Sequence, residues 1–378
     1  MRVGMVCYAS VGGSGVVATE LAKALADRGH EVHLISSEPP FRWQGGVTRL
    51  HFHRVTVPSY PLFREPQYLL ALATTIAHIS DEQRLDIVHA HYAVPHATAA
   101  YLAQQMLTSA ARSIRPKTVT TLHGTDITLV GSDRSYAWAV GFSIERSDIV
   151  TAVSQSLKES TIASLGINHD VDVIPNFLEC AEYQQRFDAK LRAQLAPAGT
   201  DALIVHMSNF RPVKRVDAVV DVFRQIRRQV PARLLLIGDG PDRAAAERQV
   251  ESFGMDDHVV FVGEERDPLR WLSIADLFLL PSGQESFGLA ALEAMACEVP
   301  VISSNVGGLP EIVRNGVTGY ATSPDALDEM AARAVQLIRD PERRRAMGRS
   351  GAEMVRAEYC ADRIVPLYEA AYERALTA

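Results

Sequence analysis

The segment Pro281-Ser282-Gly283-Gln284-Glu285-Ser286-Phe287-Gly288-Leu289, running into Ala290–Cys297, places two carboxylates, Glu285 and Glu293, with seven residues between them. Glu285 falls in a loop and Glu293 on the helix that follows. The Phe287, Gly288 and Leu289 amides then lie at that helix's N-terminus, where unsatisfied N–H groups and the helix dipole favour an anion. A carboxylate one turn into such a helix can hold paired ribose hydroxyls. Its neighbours Ala291, Ala294 and Met295 mark the helix as mostly buried, which argues against a carboxylate that merely faces solvent.

Six other loops stand out at strand ends. Asn209-Phe210-Arg211-Pro212-Val213-Lys214-Arg215 gathers three cations just past an apolar strand. They suit a diphosphate, arginine through its bidentate fork and lysine as a point charge. Ser10-Val11-Gly12-Gly13-Ser14-Gly15 is a glycine turn entering a helix; it is neither a Walker A loop nor a clean GxGxxG. His123-Gly124-Thr125-Asp126 follows strand Val119–Leu122, so His123 can hydrogen-bond a substrate hydroxyl or phosphate. Gly238-Asp239-Gly240-Pro241 and Val306-Gly307-Gly308-Leu309-Pro310-Glu311 are two further turns at strand ends. His89-Ala90-His91-Tyr92, with His96, has no Cys or carboxylate in register, so it is read as a polar wall on the acceptor side of a cleft, or plain packing, rather than a zinc site.

The elements that position these loops alternate strand and helix. Apolar runs Val3–Cys7, Val32–Ile35, Ile87–His89, Val119–Leu122, Ile149–Val153 and Val171–Ile174 are separated by helical stretches. The signal fades after Pro175, and Ala-Pro-Ala-Gly-Thr at 196–200 reads as a linker. It restarts at Leu203–Met207, Leu234–Ile237, Val259–Val262, Leu277–Leu280 and Val299–Ser303, and the chain is mostly helical after Gly319. Continuous apolar strands with intervening helices predict parallel sheets covered on both faces, here two doubly wound α/β domains. In such sheets ligands sit beyond the strands' carboxyl ends, so two of them facing each other make a cleft.

The bulk composition agrees with a globular protein of two domains. The chain has 378 residues, 47% of them hydrophobic and 22% charged, with a net charge of −7. Residues 1–180 hold 14 basic and 16 acidic side chains, and the remainder 24 and 29. Neither half is a basic surface, so no nucleic-acid partner is expected. No apolar run is long enough for a membrane span and no signal peptide is visible, so a cytoplasmic protein without stable membrane association is expected. Cys7, Cys180, Cys297 and Cys360 form no CxxC pair and are expected as buried free thiols. Ten of the 12 histidines precede Ile174, which makes the first half distinct.

Taken together, the Glu285-Ser286-Phe287-Gly288 loop through Glu293, Glu-Ala-Met-Ala-Cys, Val-Gly-Gly-Leu-Pro-Glu and Gly-Asp-Gly-Pro resemble the GT-B retaining glycosyltransferases of family 4, over essentially the whole chain. Gly12–Leu21, His89–His96 and Thr121–Thr128 resemble the narrower group that moves N-acetylglucosamine from UDP to L-malate, the first step of bacillithiol biosynthesis. The resemblance implies an N-terminal acceptor-binding Rossmann-like domain (1–180), a C-terminal nucleotide-sugar domain (181–359) and a last helix (360–378) packed on the first. It implies that Glu293 holds the ribose, and that Arg211 and Lys214 hold the diphosphate. Glu285 would touch the sugar hydroxyls beside Ser286, Phe287, Gly288 and Leu289. His123 would sit near the reacting carbon, and Gly13 and Ser14 would close over the diphosphate.

Many family members space the Arg and Lys by five, whereas Arg211 and Lys214 are three apart, so Arg215 competes for the second place. The implied reaction is front-face displacement with retention, with UDP-GlcNAc and L-malate as substrates and no metal or other cofactor. Tyr92, Thr125 and Arg146, with Arg134 and Arg64 behind them, are the candidates for the malate carboxylates. Transfer to an inositol phosphate or a lipid, UDP-sugar epimerisation and non-catalytic sugar-nucleotide sensing are the competing readings. A homo-oligomer is left open.

Overall fold

The structure, a computed structural model, describes residues 1–378 apart from 10, 11, 44, 59–66, 126, 128–132, 198, 200, 378 and the side chain of Arg134. The chain forms two compact units, Met1–Phe177 with Ala361–Ala378, and Leu178–Cys360.

The first unit runs β1 (Arg2–Val6), α1 (Gly13–Asp27), β2 (Glu31–Ser36), β3 (Leu50–Arg54), α2 (Tyr68–Gln83), β4 (Ile87–His91), α3 (Thr98–Ser109), β5 (Lys117–Leu122), α4 (Arg134–Glu145), β6 (Ile149–Ala152), α5 (Gln155–Leu165) and β7 (Val171–Val173). The second continues with α6 (Ala189–Leu195), β8 (Ala202–Met207), α7 (Val216–Arg227), β9 (Ala232–Ile237), α8 (Arg243–Ser252), β10 (Val259–Gly263), α9 (Leu269–Leu272), β11 (Leu277–Leu280), α10 (Leu289–Ala296), β12 (Val301–Ser304), α11 (Leu309–Ile312), β13 (Gly319–Thr322), α12 (Leu327–Arg339) and α13 (Pro341–Glu358). The chain then returns to the first unit as α14 (Ala361–Thr377).

Every strand pairing is parallel. The sheet orders are β3-β2-β1-β4-β5-β6-β7 and β10-β9-β8-β11-β12-β13. Both reverse direction once, between β1 and β4 and between β8 and β11. A doubly wound sheet opens its ligand crevice at that reversal. The loops after β1 and β4, and those after β8 and β11, therefore border the crevice of each sheet.

The cores explain the apolar strand runs. In the first unit, Val3, Met5, Val32, Leu34, Ile87 and Val119 pack under α1 and α14, with Tyr368 and Tyr372 fully buried. Val6, Ile35 and Val88 turn to the other face, under α2 and α3. In the second unit, α7 buries Val216, Val219, Val220, Phe223 and Ile226 against β8–β10, and Met330, Ala334 and Leu337 of α12 join them. Strands covered on both faces lose the polar alternation of a half-exposed sheet.

Several features depart from the sequence reading. β3 and α2 went unread. β3 (Leu-His-Phe-His-Arg) is an edge strand that buries only Leu50, so it shows no apolar run. The start of α2 (Tyr-Leu-Leu-Ala-Leu) is apolar all round, which does not by itself separate helix from strand. The segment after Gly319 opens with a strand, β13, and Ala196 and Gly199, joined by the Gly199 N–H on the Ala196 carbonyl at 2.9 Å, lie inside the second unit, since the chain crosses between units at 177/178 and 360/361.

The expectation of four free thiols is corrected. Cys180 and Cys360 form a disulfide, with Cα atoms 5.4 Å apart, and only Cys7 and Cys297 are buried free thiols. The pair is 180 residues apart in sequence, so spacing gives no hint of it. It forms because the segments entering and leaving the second unit run side by side: Leu178 N–H donates to the Tyr359 carbonyl at 3.0 Å.

Candidate active-site residues of the two units

In the second unit, β8 ends at Met207 and the cationic turn follows. Pro212–Lys214 is a single 3-10 turn, with Arg211 at its start and Arg215 in the left-handed region (φ 50°) at its end. That reversal sends the three cations in different directions. Lys214 turns toward β11's loop, and its Nζ is 2.5 Å from Glu285 Oε2. The Ser282 hydroxyl donates to the same oxygen at 3.4 Å. Arg215 donates from Nη1 to the Pro324 carbonyl at 2.5 Å and lies 3.9 Å from Asp325. Arg211 is exposed. The Gly283 N–H donates to the Val213 carbonyl at 2.8 Å, tying the β8 and β11 loops together at the sheet's reversal.

The Glu285 loop is shaped by a third turn. Gly307 has φ 54°, and a Cβ there would lie 1.8 Å from the Glu285 carbonyl oxygen. Only glycine tolerates both the backbone region and that approach. Gly308 N–H then donates to the same carbonyl at 3.0 Å. Gly288 (φ 101°) caps α10, whose first-turn amides have no acceptor within the helix. Phe287 is buried edge-on to Tyr359 at 5.9 Å, and Ser286 and Leu289 are half-buried. Glu293 is 4% exposed on the second turn of α10, and the Tyr183 hydroxyl donates to its Oε1 at 2.6 Å.

In the first unit, Gly13 and Ser14 open α1 directly after β1, with Ser14 buried. Tyr92 follows β4 with φ 93°, a backbone region that strains a non-glycine residue by about 1–3 kcal/mol and is concentrated at functional sites. Its ring lies 5.3 Å from that of His123, which follows β5. The imidazoles of His91 and His123 are hydrogen-bonded, Nδ1 to Nε2, at 2.8 Å. His91 Nε2 lies 3.0 Å from Met5 Sδ, which has only lone pairs to offer. The His91 proton therefore sits on Nε2, and His91 Nδ1 accepts from His123 Nε2–H. Burial lowers His123 to about 3, with His96 adding repulsion, so His123 is a neutral imidazole.

His89, His91 and His96 are fully buried, which favours the packing alternative over a polar wall. β4 runs through His91, so His89 and His91 share a face, but their nitrogens are engaged: His89 with the Tyr372 and Thr121 hydroxyls (2.8 and 2.7 Å), His91 as described. Burial pushes His89 down to about 3 and His96 to about 4. Among the described residues, no group of three or more His, Cys, Asp or Glu could hold a metal ion.

Arg146 is not brought to the same place as Tyr92, His123 and Thr125. It ends α4 three residues before β6, on the amino side of the sheet. β6 starts opposite Val119, four residues before His123, or about 13 Å along the strand. Arg146 leans instead on the Phe142 ring at 5.5 Å. Arg64, Asp126 and the Arg134 side chain lie outside the described residues. Two partners went unread: His91, which β4–β5 register places beside Thr121 and so on the His123 face, and Tyr183, which lies in a stretch with no periodicity.

Residues 11–182 match the family described as Glycosyltransferase Family 4, and 187–354 match Glycosyl transferases group 1; residues 183–186 lie between the two ranges. The chain is 44% identical over 372 residues to the N-acetyl-alpha-D-glucosaminyl L-malate synthase of Bacillus anthracis, covering 98% of this chain and 96% of that protein. It is 31% identical over 212 residues to a D-inositol 3-phosphate glycosyltransferase of Segniliparus rotundus, covering 53% of this chain and 47% of that protein. In fold it is similar to sucrose-phosphate synthase from Thermosynechococcus elongatus (TM-score 0.82, 22% identity, 100% of this chain and 99% of that one). It is similar also to Anabaena HepE in complex with UDP-glucose (TM-score 0.80, 19% identity, 99% of both chains). Among the described residues no helix is long and apolar enough to cross a membrane.

Proposed function

The chain belongs to glycosyltransferase family 4, and from that premise we propose that it transfers N-acetylglucosamine from UDP to the hydroxyl of L-malate with retention of configuration. The observation that carries the acceptor is the 44% identity to the malate synthase across almost the full length of both chains. The relative named for inositol phosphate aligns over only about half of this chain.

The second unit binds the nucleotide sugar. Lys214 and Arg211, at the carboxyl end of β8, take the diphosphate, and the first-turn amides of α10 add positive potential. Glu293 takes the ribose hydroxyls, and Glu285 the sugar hydroxyls. Since Arg215 is engaged at 324–325, Arg211 and Lys214 are the diphosphate pair in this reading. Lys214 is held by Glu285, so a diphosphate oxygen competes with that carboxylate for the ammonium group.

In the first unit we assign Gly13 and Ser14 to the diphosphate, the neutral His123 to the sugar near its reacting carbon, and Tyr92 and Thr125 to malate. The new bond joins the malate hydroxyl oxygen to C1 as the bond from C1 to the diphosphate oxygen breaks. The hydroxyl proton passes to that oxygen. Negative charge grows on the departing UDP, so stabilising it is the main demand on the protein, and the β8 cations meet it.

The test is UDP release from UDP-GlcNAc with L-malate, D-malate, inositol phosphate or no acceptor. Release that depends on L-malate is expected. Equal rates across the panel refute the assignment.

A further inference from the structure

Tyr183 belongs to the stretch that the sequence left without structure, and it falls outside both matched family ranges. It is 7% exposed, and its hydroxyl donates to Glu293 Oε1 at 2.6 Å across 110 residues of sequence. Glu293 is on α10 beside the buried Ala291, Leu292, Ala294 and Met295. A buried carboxylate is oriented by the donors it accepts from.

The Tyr183 hydroxyl is itself firmly held. Its segment starts with the Leu178–Tyr359 backbone hydrogen bond and the Cys180–Cys360 disulfide. It ends with the Arg186 N–H on Ser273 Oγ at 3.0 Å, while Tyr183 N–H closes a turn on the Glu179 carbonyl at 3.2 Å. One oxygen of the carboxylate is thereby committed to a fixed donor from outside α10, and this sets the plane in which the group meets a ligand.

We propose that Tyr183 is a positioning residue for the nucleotide ribose: by anchoring Glu293 Oε1 it orients the carboxylate toward the paired ribose hydroxyls, and so helps the enzyme select ribonucleotide over deoxyribonucleotide donors. The proposal rests on the reading of Glu293 as the ribose-binding group. It adds a residue that neither family range contains, and it gives the segment leading out of the first unit a part in donor selection.

The experiment compares inhibition constants for UDP and 2′-deoxy-UDP in the wild type, Tyr183→Phe and Glu293→Gln. A ratio of inhibition constants is set by active enzyme alone, so partial unfolding of a variant does not alter it. Hydrogen bonds to a charged group are worth about 1.5–3 kcal/mol, so the preference for UDP should fall about tenfold or more in Tyr183→Phe, and the donor KM should rise more than kcat falls. A Tyr183→Phe ratio within about twofold of wild type, with the ratio lost in Glu293→Gln, overturns the positioning role and leaves the ribose assignment standing. A ratio unchanged in Glu293→Gln as well overturns the ribose assignment, and the inference with it.

Discussion

In the proposed reaction the chemistry turns on Lys214 and Glu285, which meet at 2.5 Å where the sheet of the second unit reverses. Removing the cation should act mainly on the transition state, where the leaving diphosphate carries most charge. Lys214→Met is expected to lower kcat about 10²–10³-fold with a smaller rise in donor KM, as read by steady-state UDP release. An unchanged kcat would move the charge-stabilising role to Arg211. A second residue-scale prediction concerns the buried histidines. His89 and His123 are lowered to about 3, and His96 and His206 to about 4, all chiefly by burial. In the unfolded chain each titrates near 6.5. Below that pH the unfolded state binds protons that the folded state refuses, so stability is complete above about 6.5 and is lost as pH falls from there toward 4. Each histidine contributes a slope of up to about 1.4 kcal/mol per pH unit in that window. Melting temperature should drop steeply between pH 6.5 and 4.5, and a His89→Gln variant should show a shallower drop. At this scale Lys214, Glu285, Glu293 and His123 stand out in the sequence as candidates, because their loops are chemically unusual. Tyr183 does not, nor do the hydrogen-bond partners of His89 and His91, which depend on which strand lies beside which.

At the scale of elements, the loops at strand ends are held by backbone approaches that single substitutions should break. Gly307→Ala puts a Cβ 1.8 Å from the Glu285 carbonyl oxygen, so it must displace the Glu285 loop. The expected outcome is a loss of donor affinity larger than the loss of melting temperature, measured by UDP titration beside a thermal scan. The entry and exit segments of the second unit are tied by Cys180–Cys360. Thiol titration in denaturant without reductant should therefore find two free thiols, those of Cys7 and Cys297, and four after reduction. Four without reductant would contradict the bond. Most strands were legible because strands buried on both faces are uniformly apolar. β3 was not, because an edge strand that buries one residue in five carries little of that pattern. Arg146 shows the limit of reading positions by residue type. As a cation of the first half it is a candidate for the malate carboxylates, yet the element order places it on the amino side of the sheet, away from the strands' carboxyl ends.

At the scale of the molecule, two doubly wound units and their separate crevice loops were legible because the strand–helix alternation restarts after residue 200. The chain passes between the units at 177/178 and 360/361, and Ala196 and Gly199 of the apparent linker lie within the second unit. The histidines of the first unit fall into separate groups: His89, His91 and His123 lie together at β4 and the end of β5, and His33, His51 and His53 lie together on β2 and β3. The central claim concerns what the two units accomplish together. Its most direct test is the nuclear magnetic resonance spectrum of the product formed from UDP-GlcNAc and L-malate. The account predicts one new glycoside, N-acetylglucosamine joined through C1 to the malate hydroxyl in the α configuration, formed in equal amount with UDP. A β-linked product, or UDP accompanied only by free N-acetylglucosamine, would contradict it.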